Sequence, residues 1–326
     1  MFHSKEYSLI SKFLHNLVLG NNFLPEMFHD IELFFFKKKI QTNNLNHHIF
    51  ICGMPRSGTT ALMRFLHDTK QFASLTYRDM PFIISPNLWA TISKRIKSGQ
   101  KIERAHGDKI FINLDSPEAL EEIFWRVKLN KEYIYKNKLI SHNVDEFTLN
   151  EYKNFISLIL YKYKKKLYLS KNNNNILRLE SILKAFPNSI IIIPFRDPAQ
   201  QANSLLKQHK NFKEIQKENK FIKNYMSYLA HHEFGEIHRP FEFVKGTETN
   251  LNSNSIEYWL EQWINTYNYL SQKKFANNNN ILYLDYENFC NQPNQILQKL
   301  LKKINSNNIL AEKNFLVRKS LNKIEI

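Results

Sequence analysis

The chain has few of the residues that punctuate or staple a fold: 7 glycines, 10 prolines and 2 cysteines in 326 residues. Cys52 and Cys290 are too few and too far apart for a disulfide framework, and they fit a reducing compartment. No stretch rich in proline, glycine or serine divides the chain, and no internal repeat is visible, so two linked units are not expected. Long uncharged apolar runs are also missing, and mean hydropathy is −0.47, which argues against a membrane-spanning helix. The start, Met1-Phe2-His3-Ser4-Lys5-Glu6, lacks a basic end, and His15 and Asn16 interrupt the apolar stretch that follows. That is not the pattern of a secretory leader. A soluble cytoplasmic protein is the reading. The histidine pairs His47-His48 and His231-His232 are adjacent, and neighbours do not both face one ion, so no metal is expected.

What is present is ample apolar material, 43% hydrophobic and 13% aromatic residues, and a formal charge of +16. A field of that sign favours anionic ligands without choosing among them. The runs Lys37-Lys38-Lys39 and Lys164-Lys165-Lys166 read as solvated helix ends, and nucleic acid is not the expected partner. The segment from Phe34 to Lys39 has two readings: a core-packed helix with a basic end, or a contact with a membrane surface. Oligomeric state is not legible.

Periodicity organises the rest. Helical spacing over Leu9, Ile10, Phe13, Leu14, Leu17 and Val18, and again from about Leu24 to Lys38, predicts an N-terminal helical segment over 1–45. Strands are expected at His48–Cys52, Leu167–Ser170, Ser189–Phe195 and Ile281–Leu284, with helical stretches between them. Asp115-Ser116-Pro117-Glu118 reads as a helix start, and further helices are expected near 198–210, 212–232 and 255–272. Strands alternating with helices imply an α/β fold: one domain over 46–305, a mostly parallel sheet flanked by helices, of the phosphate-loop type, with a tail over 306–326.

The segment Gly53-Met54-Pro55-Arg56-Ser57-Gly58-Thr59-Thr60 follows a predicted strand and opens a predicted helix. That context suits anion binding, because the first amides of a helix lack partners and the helix dipole favours negative charge. A triphosphate-binding loop would carry lysine where Thr59 stands, so a kinase is demoted. The cation has moved to Arg56, inside the loop.

On these residues the chain resembles the sulfotransferases that use 3′-phosphoadenosine-5′-phosphosulfate (PAPS). Pro55, Arg56, Ser57, Gly58, Thr59 and Thr60 are similar to that family's 5′-phosphosulfate loop. Arg196-Asp197-Pro198 with Ser204 resembles its 3′-phosphate site, and Ser170-Lys171 its central lysine motif. The likeness runs over most of 47–300 and includes Leu284–Phe289; Trp259 and Trp263 read as core packing. It implies PAPS as donor, 3′,5′-adenosine bisphosphate as product, no metal, and a small-molecule or glycan acceptor. Arg56, then Lys171, would offset charge on the departing phosphate. Some members resemble Lys-x-His at the central motif, and here Asn173 stands where that histidine would be, so a base must come from elsewhere. Asp79 and His106 are the candidates, with Glu118 and Glu121 behind them. A phosphate-loop kinase and a non-catalytic nucleotide-binding protein are the rival readings.

Overall fold

The computed structural model describes residues 7–40, 47–104, 110–244, 246 and 249–303. Its central strands are short, and the innermost of them are buried on both faces, as the apolar runs require. They are β1 (Ile49–Ile51), β2 (Phe72–Ala73), β6 (Leu167–Lys171), β7 (Ile190–Phe195) and β9 (Ile281–Asp285). Between them in the chain lie β3 (Ile102–Glu103), β4 (Phe111–Ile112), β5 (Leu139–Ile140) and β8 (Phe241–Glu242), which form two small two-stranded sheets. The five-stranded sheet has the order β2-β6-β1-β7-β9, and every pairing in it is parallel.

Alternation along the strands divides the interior in two. Ile49 and Ile51 with Ile190 and Ile192 face one layer, where Leu62, Phe65 and Leu66 of the helix Thr59–Asp68 meet Leu297 and Leu301 of the helix Pro293–Lys303. Phe50 with Ile191 and Ile193 face the other, covered by Glu122–Tyr133, Glu146–Tyr163, Pro198–Glu218 and Ile256–Leu270. Each fully buried side chain of this size contributes about 1.5–3 kcal/mol against exposure. The result is one α/β domain with helices on both faces.

Two helices precede the sheet. Leu9–Leu19, capped by the Ser8 hydroxyl, buries His15, Val18 and Leu19, and Phe23–Phe36 buries Pro25, His29 and Glu32. The Glu32 carboxylate accepts the amides of Asn87 (3.0 Å) and Leu88 (2.9 Å) at the start of the helix Pro86–Ser93. A negative charge at that end is the favourable arrangement. Residues 306–326, expected as a tail, lie outside the described residues. Among the described residues no helix is long and apolar enough to cross a membrane.

Two expectations fail in detail. Residues 115–118 do not start a helix; the next one runs Glu122–Tyr133. The Asp115 carboxylate is taken by Arg78 (2.6 Å) and Pro117 bridges to Thr76, so neither caps a helix. Helices expected at 198–210 and 212–232 instead form one long helix, Pro198–Glu218, and a second, Lys220–Tyr228. The break falls at Asn219, whose side chain caps the second helix through the Ile222 amide.

Candidate active site

Strands β6, β1 and β7 lie side by side, with Ile51 paired to Lys171 on one flank and to Ile192 on the other. The chain segments leaving their carboxyl ends therefore meet at one edge, where ligands collect in open parallel sheets. Those segments carry Arg56, Lys171 and Arg196.

The turn after β1 is shaped by left-handed backbone. Arg56 has φ 67° and Gly58 φ 95°, conformations that cost a non-glycine residue free energy unless the surroundings hold them. The surroundings do so. The Ser57 hydroxyl, fully buried, donates to the Met54 carbonyl (2.8 Å), and the Gln201 amide donates to Pro55 (2.9 Å). Gly58 caps the helix Thr59–Asp68 with no side-chain hydrogen bond, which leaves the first turn's amides as an anion seat. A Cβ on Gly58 would stand 2.1 Å from the Tyr286 ring. Thr59 is buried at the helix start, and Thr60 beside it is partly exposed.

The two arginines meet at this turn. Arg196 donates to the Arg56 carbonyl (3.3 Å) and to Gln200 (3.2 Å), and its guanidinium lies 5.1 Å from the Tyr286 ring centre. Arg56 in turn donates through Nε to Ser204 Oγ (3.1 Å), on the helix that Asp197 caps. Arg56, Arg196 and Ser204, separated by up to 148 positions, form one cationic corner beside the uncapped amides.

Lys171 ends β6 and is buried. Burial pulls its ammonium below the ordinary lysine range, the cations Arg104 and Arg56 reinforce this, and the carboxylates of Glu118 and Glu233 oppose it. Burial pushes the Glu118 carboxyl up, whereas Lys171, Arg104 and the Ala119 amide pull it down. Glu118 also accepts from Tyr77 Oη at 2.5 Å. Glu233 accepts from Asn173 Nδ2 at 3.1 Å. It lines an open cavity of about 370 Å³ together with Pro55, Asn174, His238, Phe241 and Trp259. The Oδ1 atoms of Asn173 and Asn174 are buried without hydrogen-bond partners among the described residues.

The base candidates from the sequence fare differently. Asp79 is fully buried, and its carboxylate accepts from the Thr76 amide (2.7 Å), the Thr76 hydroxyl (3.2 Å) and Tyr163 (2.7 Å), and pairs with Lys162. Its lone pairs are spent on the fold. His106 lies outside the described residues. Glu121 is buried and accepts from Tyr168 (2.9 Å) and Asn175 (2.8 Å). Sequence reasoning missed Glu233 and Arg104. Asn173 signalled that a base must come from elsewhere, but its partner is 60 positions away, beyond any local pattern. Among the described residues no group of three His, Cys, Asp or Glu side chains is placed to hold a metal ion.

Residues 48–244 match the model of the sulfotransferase family. No curated protein sequence matches the chain. Among solved structures, the sulfotransferase STF1 from Mycobacterium tuberculosis H37Rv is 10% identical, covering 93% of this chain and 79% of that one at a TM-score of 0.51. The sulfotransferase STF9 from Mycobacterium avium is 13% identical, with 84% and 68% covered and a TM-score of 0.45. A sulfotransferase from Alicyclobacillus acidocaldarius is 10% identical, with 86% and 87% covered and a TM-score of 0.41. At 10% identity the likeness to STF1 is one of fold.

Proposed function

The chain belongs to the sulfotransferase family, and from that premise we propose that it moves a sulfuryl group from PAPS to a hydroxyl or amine of a small-molecule or glycan acceptor. The observation that carries the reading is the corner in which Arg196 holds the Arg56 backbone and Arg56 holds Ser204, next to the uncapped start of Thr59–Asp68. The uncapped amides, with Arg56, suit the 5′-phosphosulfate, and Arg196 and Ser204 suit the 3′-phosphate. The bound donor supplies the sulfuryl group. Cys52 and Cys290, both buried and not joined to each other by a disulfide, suit a reducing cytoplasm.

In this reading Glu233 takes the proton of the acceptor, because it lines the cavity beside Pro55 and is held by Asn173. A bond forms from the acceptor atom to sulfur, the bond from sulfur to the 5′-phosphate oxygen breaks, and Arg56 and Lys171 offset the charge left on that oxygen. Asp79 keeps the fold role that its four donors describe.

Calorimetric titration with 3′,5′-adenosine bisphosphate tests the nucleotide site. Binding is expected without magnesium, and Arg196→Ala should weaken it about 30-fold, the loss of roughly 2 kcal/mol of charge-assisted hydrogen bonding. Tighter binding of magnesium and adenosine triphosphate than of the bisphosphate would favour a kinase instead. With an acceptor found by screening with labelled donor, Glu233→Gln should lower turnover about 10²–10⁴-fold. Unchanged turnover would remove Glu233 from the mechanism.

A further inference from the structure

The first two helices carry an apolar surface that the sulfotransferase reading does not use. Eight of the eighteen exposed large apolar side chains among the described residues lie on them. Leu9, Ile10, Phe13 and Leu17 stand on one face of Leu9–Leu19, at 84%, 80%, 66% and 47% exposure. On Phe23–Phe36, Phe23, Ile31, Phe34 and Phe35 repeat the pattern, with Phe34 at 83%. The opposite faces bury Val18 and Leu19, and Pro25 and His29, so both helices are anchored to the domain while their apolar sides face outward. The Phe34 and Phe35 rings pack edge to face on each other, 5.3 Å apart.

We propose that these paired helices dock the chain on the surface of a bilayer containing anionic lipid. Charge selects this occupant. Lys37, Lys38 and Lys39 are all exposed directly beyond the phenylalanines, and Lys12 lies over the Phe221 ring beside the first helix. Phenylalanine and leucine next to lysine is the composition of helices that lie in the headgroup region, where apolar burial and attraction to anionic lipid add. Against this stand Asp30, exposed on the second helix, and Glu26, which Lys128 neutralises at 2.8 Å. A second copy of the chain is the weaker occupant, since each copy carries a formal charge of +16 and would bring the same lysines into the contact.

Co-sedimentation of the full chain with vesicles tests the proposal, using phosphatidylcholine alone and phosphatidylcholine with phosphatidylserine. Binding is expected to the mixed vesicles, weakening as salt rises from about 0.1 M to about 1 M as screening shortens. Lys37→Gln, Lys38→Gln and Lys39→Gln together should weaken it about 100-fold, at roughly fivefold for each lysine near the surface. The doublet Phe34→Ser with Phe35→Ser should weaken it at least about tenfold while the unfolding midpoint stays put, because both side chains are exposed. Three results would overturn the idea. One is no binding to the mixed vesicles. Another is binding that ignores the phenylalanine changes, which would mean general attraction of charge. The third is a dimer in solution that the phenylalanine changes dissociate.

Discussion

Two charged clusters lie beside the end of β6, built from the same residue types and closed to different degrees. On one side Glu122 and Arg178 form a bidentate pair at 2.8 and 2.9 Å. Tyr133 (2.5 Å) and Asn172 (2.6 Å) donate to the same carboxylate, and the Arg178 guanidinium lies between the Trp125 and Tyr133 rings. On the other side Lys171 sits among Glu118, Glu233, Arg104 and Arg56; Glu233 lines the cavity, and the Asn173 and Asn174 side-chain oxygens are buried without partners among the described residues. The first cluster satisfies its charges internally and holds the strand ends. The second sets one of its carboxylates, Glu233, on the cavity wall beside a buried lysine, which suits a site where charge develops on a ligand.

The sharpest way to break this comparison is to remove one partner from the closed pair. Arg178→Met leaves Glu122 buried without its cation, and such a loss costs about 3–5 kcal/mol. Urea unfolding should show a midpoint far below that of the parent, with the Glu122→Gln, Arg178→Met double variant recovering part of the loss. A single variant within about 1 kcal/mol of the parent would show the closed cluster to be expendable.

Lys171→Met should behave in the opposite way. Its burial already disfavours the charged form, and Arg104 stays near Glu118 when it is removed, so urea stability should fall far less than in Arg178→Met. Turnover should fall about 10²–10³-fold, the usual cost of removing one stabiliser of transition-state charge. A variant that loses stability and keeps its rate would place Lys171 with the closed cluster.

The sequence showed this contrast only in part. Strands β1, β6, β7 and β9 and the helix Thr59–Asp68 were legible because apolar runs and helical spacing are local signals, and the loop between β1 and that helix followed from them. The edge strand Phe72–Ala73 was not, because two residues carry no period. Glu118 looked like part of a helix start, yet Tyr77 and the Ala119 amide hold it within the open cluster. Asp79 read as a base candidate, but Lys162 and Tyr163, over 80 positions on, close around it. Contacts that long depend on the assembled sheet and leave no mark in a local pattern.

The smallest test concerns how tightly the closed cluster is shut. His142 donates through Nδ1 to the Ile140 carbonyl (2.9 Å), which leaves Nε2 to accept from Arg178 Nε (3.2 Å). The ring is therefore held neutral. Burial, then the Arg178 charge, pushes its pKa down to about 4 from an ordinary 6.5. Between those values the unfolded chain binds the extra proton and the folded chain does not, so stability rises with pH in that window. The contribution is complete above pH 6.5 and is lost as pH falls toward 4. Its size is on the order of 3 kcal/mol. His48 and His232 are also buried, with pKa values near 4 and 3, and they tilt the same curve, so the readout is the difference between parent and His142→Gln. Urea midpoints taken from about pH 7 to about pH 4.5 should fall less steeply in the variant. Parallel curves would mean that water reaches the ring, and that the cluster called closed is open at the His142 end.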